Sequence, residues 1–456
     1  MSHPIRVFTV FSIGCLCICS AHAQKGTGKE GEVILQKLDK NFKTLDALIL
    51  GRNVKSSKSN YNAGNSTFVY YNKGNNATGV DSVLSNRTIA QIGELKGETG
   101  LLVTGQTYYR PDADLGIEDD EGVVSRYKAK AQVELEWDFL HSALYRQRER
   151  IQELVIKEEI DRKQMQKAGK GLYVSRLQQS FRDLYDSLLA GVLTHHCYNL
   201  QLLSDAQQYL LRHEDVSSDA LLQILNDKAD KDRMLAAISP DKYHKSDDLS
   251  DPSGVAVMID TLSLFHTIET TQYDLATIDL RMQLIDNETA TTSYWNAAHI
   301  SPFVRGSYYV RSHEKNSTNV DVGVTFRFPL SAEAARHKKT LKAQKSVLEA
   351  ERAQMKQQLL ETARLTVIDV ERLNRLSIGE LERLRKLKKY IAMRVNAYNH
   401  RVGGYNLLAR AKEYNNYLGC WEKLLEYQYR RDCLIASLQN YLSGNSILQY
   451  CKEVKL

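Results

Sequence analysis

His195 and His196 are the first residues in this chain whose type and spacing could do chemistry, as nitrogen ligands to a metal. Neighbours on a helix point about 100° apart, so the pair could share one ion only if carboxylates from another helix completed the set. Surface or interface histidines are the reading the spacing favours. Gly26-Thr27-Gly28-Lys29-Glu30 ends like a phosphate loop, but Glu30 stands where a hydroxyl is needed and no strand precedes it. Asp112, Asp114, Glu118, Asp119, Asp120 and Glu121 lack the ordered ligand spacing of a calcium loop and read as a solvated external loop. There is no His-Glu-x-x-His, no Gly-x-Ser-x-Gly and no Cys-x-x-Cys in the mature chain. No catalytic, cofactor or metal site is expected, and the role expected is non-enzymatic.

Any function must therefore come from the elements themselves. Only 6 of 456 residues are proline while 43% are hydrophobic and 25% charged, which permits long uninterrupted helices and excludes disorder. A net charge of +6 is too small for a chain of this length to imply nucleic-acid binding. Arg6, the apolar run Val7 to Cys19 and Ala21-His22-Ala23 make residues 1–23 a secretory signal peptide, which places the remainder outside the cytoplasm. Cys15 after Gly14 offers an alternative, lipidated start, though Ser12 suits that cleavage poorly. Cys197, Cys420, Cys433 and Cys451 sit singly in helical sequence and are expected as buried free thiols. Beyond the signal segment no run of eighteen apolar residues occurs, so only strands could span a bilayer.

From Arg126 to Phe139 the chain alternates at period two, Tyr127, Ala129, Ala131, Val133, Leu135, Trp137 and Phe139 against a charged and polar set. Leu101 to Arg110 alternates more weakly, and the acidic stretch joins the two as an antiparallel pair, together about 101–139. The arrangement recurs after Pro302, with Phe303 to Arg311, a polar loop and Asn319 to Phe328, in which Val320, Val322, Val324, Phe326 and Phe328 share a face. The chain is thus an internal duplication. Residues 24–239 form a first repeat, 240–254 a linker marked by Pro240 and Pro252, and 255–456 a second repeat with its strand pair at about 303–328.

A long proline-free stretch follows each pair, Phe139 to about Asp215 and Leu330 to about Gly403. Leu381, Leu384, Leu387, Ile391, Val395, Tyr398 and Val402 advance in threes and fours, a coiled-coil seam. About 75 helical residues would reach ~110 Å, against a radius of gyration of ~23 Å for a compact chain, which predicts a tube or rod. Each descent ends in a turn, at Arg212-His213-Glu214-Asp215 and at Arg401-Val402-Gly403-Gly404-Tyr405-Asn406, where Asp215 or a following serine, and Asn406, can cap the returning helix. A further helix from about Asp260 to Asn296 leads to the second strand pair.

Ile300-Ser301-Pro302, the run Val320 to Leu330 ending Phe326-Arg327-Phe328-Pro329-Leu330, and Arg401-Val402-Gly403-Gly404 with Leu407-Leu408 and Ala411 make the second half resemble the TolC-like outer-membrane efflux proteins. The likeness covers about residues 260–445, and 100–240 more loosely. It departs at the first tip, where Glu214 and Asp215 replace a glycine, and at residues 51–80, rich in Asn, Ser and Gly where the family has helix. The resemblance implies a mainly helical chain with two strand pairs, whose trimer closes a 12-stranded transmembrane barrel above a helical tunnel crossing the periplasm. It implies an outer-membrane exit duct, with outer-membrane lipid, a periplasmic adaptor and, through it, an inner-membrane transporter as partners, and no cofactor. Four strands cannot close a barrel alone, and open edges in lipid leave unpaired backbone groups costing several kcal/mol each. A periplasmic or surface coiled-coil scaffold spanning no membrane is the alternative.

On this reading Tyr127, Ala129, Val133 and Leu135, with Val320, Val322, Val324 and Phe326, face lipid, and Arg at Gln132 or Thr325 should be tolerated. Arg212, Glu214, Asp215, Arg394, Arg401, Gly403, Gly404 and Asn406 form the candidate tip, gate or adaptor contact, with Arg394 or Arg401 expected to pair with Glu214 or Asp215.

Overall fold

The computed structural model describes residues 28–51, 78–97, 100–109, 117–118, 124–125, 127–137, 146–213, 218–238, 249, 255–291, 299–311, 315–327, 333–399, 407–444 and 446–455. The signal segment, Glu214 and Asp215 of the first turn, and Arg401, Gly403, Gly404 and Asn406 of the second lie outside them.

The described elements are mostly helical. Helix α1 (Gly28–Leu50) is closed by Gly51 at φ 68°, a left-handed position that an L side chain rarely adopts, and α2 (Thr78–Gly97) follows. Strand β1 (Leu101–Tyr109) pairs with β4 (Ala129–Trp137); between them Ile117–Glu118 (β2) and Val124–Ser125 (β3) form a two-residue ladder inside the stretch expected as plain loop. The two long helices α3 (Arg146–His213) and α7 (Glu333–Asn399) run 68 and 67 residues without interruption, as the absence of proline allows. Each has a returning partner, α4 (Ser218–Ile238) and α8 (Leu407–Leu438).

The single helix expected over 260–296 is two, α5 (Thr261–Thr271) and α6 (Tyr273–Thr291). The break is at Gln272, whose buried side-chain carbonyl accepts from the backbone N–H of Asp274 at 2.6 Å and Leu275 at 3.0 Å, an N-cap built by a residue rarely used for it. Strands β6 (His299–Val310) and β7 (Ser317–Arg327) make the second pair, and β5 (Val255–Ile259) binds β8 (Cys451–Lys455), a pairing that neither segment's own pattern announces.

Two compact units arise, one from the described residues within 1–74, 171–266 and 361–456, the other from those within 75–170 and 267–360. Each takes pieces of both sequence halves. In the first, Phe42, Leu45 and Ile49 of α1 are buried, Phe42 packing at 5.3 Å on the ring of Tyr414 in α8, and Leu381, Leu384, Ile391 and Val395 of the α7 seam are buried as their spacing requires. Asn374 bonds both the C=O (2.7 Å) and the N–H (3.2 Å) of Val257, covering one edge of the β5–β8 pair. In the second unit, Glu269, Asp279, Asp286 and Glu288 meet Lys356, Arg352, Lys345 and His337 of α7 at 2.6–3.3 Å. These exposed pairs contribute only ~0–1 kcal/mol each, and their value is to fix the antiparallel register.

Candidate functional site

The four long strands form one antiparallel sheet in the order β1-β4-β6-β7. Cross-strand partners share a face, so the register assigns every side chain. One face carries Val103, Ala129, Val133, Leu135, Val304 and the Val320, Val322, Val324, Phe326 series; the other carries Thr104, Gln132, Glu134, Arg305, Ser307 and Asp321. The apolar face is exposed, with Val322 at 77%, while at the centre of the polar face Gln132 is 8% and Ser307 1% exposed, the reverse of a water-soluble sheet there. Gln132 donates to Glu134 at 3.3 Å and Arg305 Nε donates to the same carboxylate at 3.1 Å. Gln132 and Thr325 thus both lie on the polar face, Gln132 within this hydrogen-bonded group and Thr325 opposite Ser301.

Tyr127 parts from the apolar series. The chain bends at Lys128, whose N–H bonds Val310 O at 2.7 Å, and the alternation restarts at Ala129 rather than Arg126. The Tyr127 ring is buried edge-on against Tyr309 at 5.3 Å, and Tyr309 belongs to the polar face beside Lys130. Its expected place with Val133 and Leu135 is therefore corrected. Strict alternation in sequence cannot reveal a bend that resets its phase.

Of the tip residues described, Arg212 pairs with Glu30 of α1 at 3.5 Å, both exposed. Arg394 lies 3.8 Å from Glu413 of α8 and bonds the Tyr390 hydroxyl at 2.6 and 3.0 Å, with its guanidinium over that ring. Burial pushes the Glu413 carboxyl up, opposed by the Arg394 and Arg410 charges. Arg394 is thus engaged within its own hairpin; its expected partners Glu214 and Asp215 fall outside the described residues, as does Arg401.

His196 is not a surface histidine. It is buried, Nδ1 2.5 Å from Glu422 Oε1, and Lys231 of α4 holds the other carboxylate oxygen. Burial alone would raise the Glu422 carboxyl; the His196 and Lys231 contacts reverse this and hold it below the usual range. Among the described residues no cluster of three or more metal-ligating side chains occurs, and no helix is long and apolar enough to cross a membrane.

Cys197, Cys420, Cys433 and Cys451 are free thiols, all but Cys433 buried. Burial pushes Cys197 and Cys451 up to about 12 and Cys420 to about 11. A thiol reagent at pH 8 should therefore label native protein at Cys433 at most, and all four after denaturation, counted by intact mass; rapid native labelling of Cys197 would contradict the packing of α3.

No protein-family model matches the chain, and no curated protein matches it. Solved structures do. CusC, in work describing conformational changes that accompany folding and transmembrane channel formation, is 10% identical across 90% of this chain and 92% of its own, with a TM-score of 0.55. The CmeC outer membrane channel of Campylobacter jejuni gives 10%, 91%, 88% and 0.54 on the same measures. The outer membrane protein VceC of Vibrio cholerae gives 10%, 91%, 97% and 0.52. At such identity what is shared is the fold, and the chain has the fold of these outer-membrane channels, the TolC-like fold the residues resembled.

Proposed function

We propose that the protein is an outer-membrane channel, the exit duct of an export system that spans the periplasm with an adaptor and an inner-membrane transporter. The carrying observation is the two-faced sheet, with an exposed apolar face opposite a polar one. Strands of 9 to 12 residues suit a tilted crossing of the apolar band. β1 and β7 end the sheet and run in opposite directions, so β7 of one copy can pair with β1 of the next in the same antiparallel sense. Three copies then close twelve strands and leave no edge in lipid. The two repeats expected at 24–239 and 255–456 each give one strand pair and one long hairpin to that assembly.

Detergent extraction followed by native mass tests the reading. A detergent-dependent trimer is expected. A monomer that stays in solution without detergent once residues 1–23 are removed would sink it and would instead fit a coiled-coil scaffold.

A further inference from the structure

Helix α1 lies along the closing turns of α3 and the opening turns of α8. Its Leu38, Phe42, Leu45 and Ile49 recur at helical spacing and are buried as one stripe. Phe42 meets the Tyr414 ring at 5.3 Å and the Arg410 guanidinium at 4.9 Å, and Asp46, one turn on, accepts from both the Arg410 guanidinium and the Tyr414 hydroxyl. Asn41 donates to the side-chain carbonyl of Asn199 at 3.0 Å. At the far end Gly31 rests on the Tyr209 ring, where a Cβ would come within 2.7 Å, and Glu30 pairs with Arg212.

The seat under α1 keeps its own hydrogen bonds. Asn199 also donates to Asn415 at 2.6 Å and to the Ala411 carbonyl at 2.9 Å, Arg410 Nε donates to the Tyr414 hydroxyl at 2.8 Å, and the Arg410 charge acts on Glu413 of the same helix. Asn199 and Arg410 therefore each retain a partner on α8 if α1 leaves, while Asn41 and Asp46 pass into water. On its other side α1 is exposed along Gln36, Lys37, Lys40 and Lys43, so a single face holds it. Vacated, the seat is an apolar groove with an amide and a cation at fixed places, the surface that an amphipathic helix bearing a carboxylate fits.

We infer that this seat is a helix-recognition site and that α1 is its built-in competitor. The partner it fits is an amphipathic helix of another protein presenting amide, aromatic, leucine and carboxylate in the order of Asn41, Phe42, Leu45 and Asp46, with Asn199 and Arg410 as the residues that select it. A resident helix weakens every incoming one by the fraction of time the seat is vacant, which holds the contact in check until a matching helix arrives. The inference goes beyond the channel reading, because nothing in it depends on a membrane or on closure of a trimer.

The experiment follows binding of a fluorescent peptide of residues 28–50 to the purified full-length protein by anisotropy. Wild type is expected to bind it weakly. Asp46→Ala in the chain loosens the resident helix and leaves the seat intact, so it is expected to raise the apparent affinity roughly tenfold or more. The same peptide carrying Phe42→Ala is expected not to bind. A folded Asp46→Ala chain that binds the peptide no better than wild type does, or that binds the Phe42→Ala peptide equally well, overturns the inference. Should Asp46→Ala fail to fold, hydrogen exchange on wild type decides: α1 amides are expected to exchange well ahead of those of α8, and equal protection overturns it. The detergent-dependent trimer tests the channel reading separately.

Discussion

Arg in place of Val322 is expected to abolish most trimer assembly in the membrane, at a cost of about 2–4 kcal/mol per chain near the bilayer midplane, while Arg in place of Thr325 assembles normally. The two positions lie three residues apart on β7 and differ in face: Val322 stands opposite Val304 on the apolar side, Thr325 opposite Ser301 on the polar side. The sign of the Val322 effect separates lipid from water. At 77% exposure in a solvated sheet an added charge would be neutral or would improve solubility; in hydrocarbon it must be desolvated or drag water in. Val133, flanked in register by Gly105 and Gly306, should behave like Val322. Outer-membrane yield of heat-resistant trimer, compared for the two arginine variants, reads the outcome. Equal assembly of both would remove the barrel assignment whatever the resemblance.

How much of this was legible in the sequence depends on whether the determining contact is local. Period two along Ala129 to Trp137 and Val320 to Phe326 reports a strand with two unlike faces, because the pleat alone sets it. The 67-residue span of α7 follows from an unbroken seam and no proline. The rest needed partners distant in the chain. β8 is five residues long and finds β5 nearly two hundred positions away, and neither strand has a strong pattern of its own. His196 reads as one of two adjacent polar residues until Glu422 and Lys231 arrive from α8 and α4 to make its burial affordable. The bend at Lys128 that turns Tyr127 onto Tyr309 is set by a bond to Val310, in a strand still unformed when the local pattern is read. For the candidate site this means the apolar face was visible from residue types, whereas the rows of charge on the polar face required the register of β4 with β6 and of β6 with β7.

Removing Asp432 is expected to be the most damaging single change in the first compact unit. Its carboxylate accepts from Arg431 at 2.8 and 2.9 Å and from the Tyr185 hydroxyl at 2.8 Å, with the Arg431 and Asp432 side chains 4% and 2% exposed. Arg431 also donates to the backbone carbonyl of Val255 in β5, so the group joins α3, α8 and the C-terminal strand pair. Burial, and then the Asp432 charge, push the Tyr185 hydroxyl well above its ordinary value, so it stays a proton donor at any physiological pH. Asp432→Ala leaves a buried guanidinium with only the weaker charge of Glu453 facing it, a loss of about 3–5 kcal/mol. The pair itself contributes much less than that, since its formation repays desolvation of both ions. Arg431→Met with Asp432→Leu should therefore regain most of the stability lost by Asp432→Ala, as seen in denaturant midpoints of the detergent-solubilised protein. If Asp432→Ala costs under about 1 kcal/mol, the group is hydrated in the native protein and α8 does not pack against Tyr185 as described.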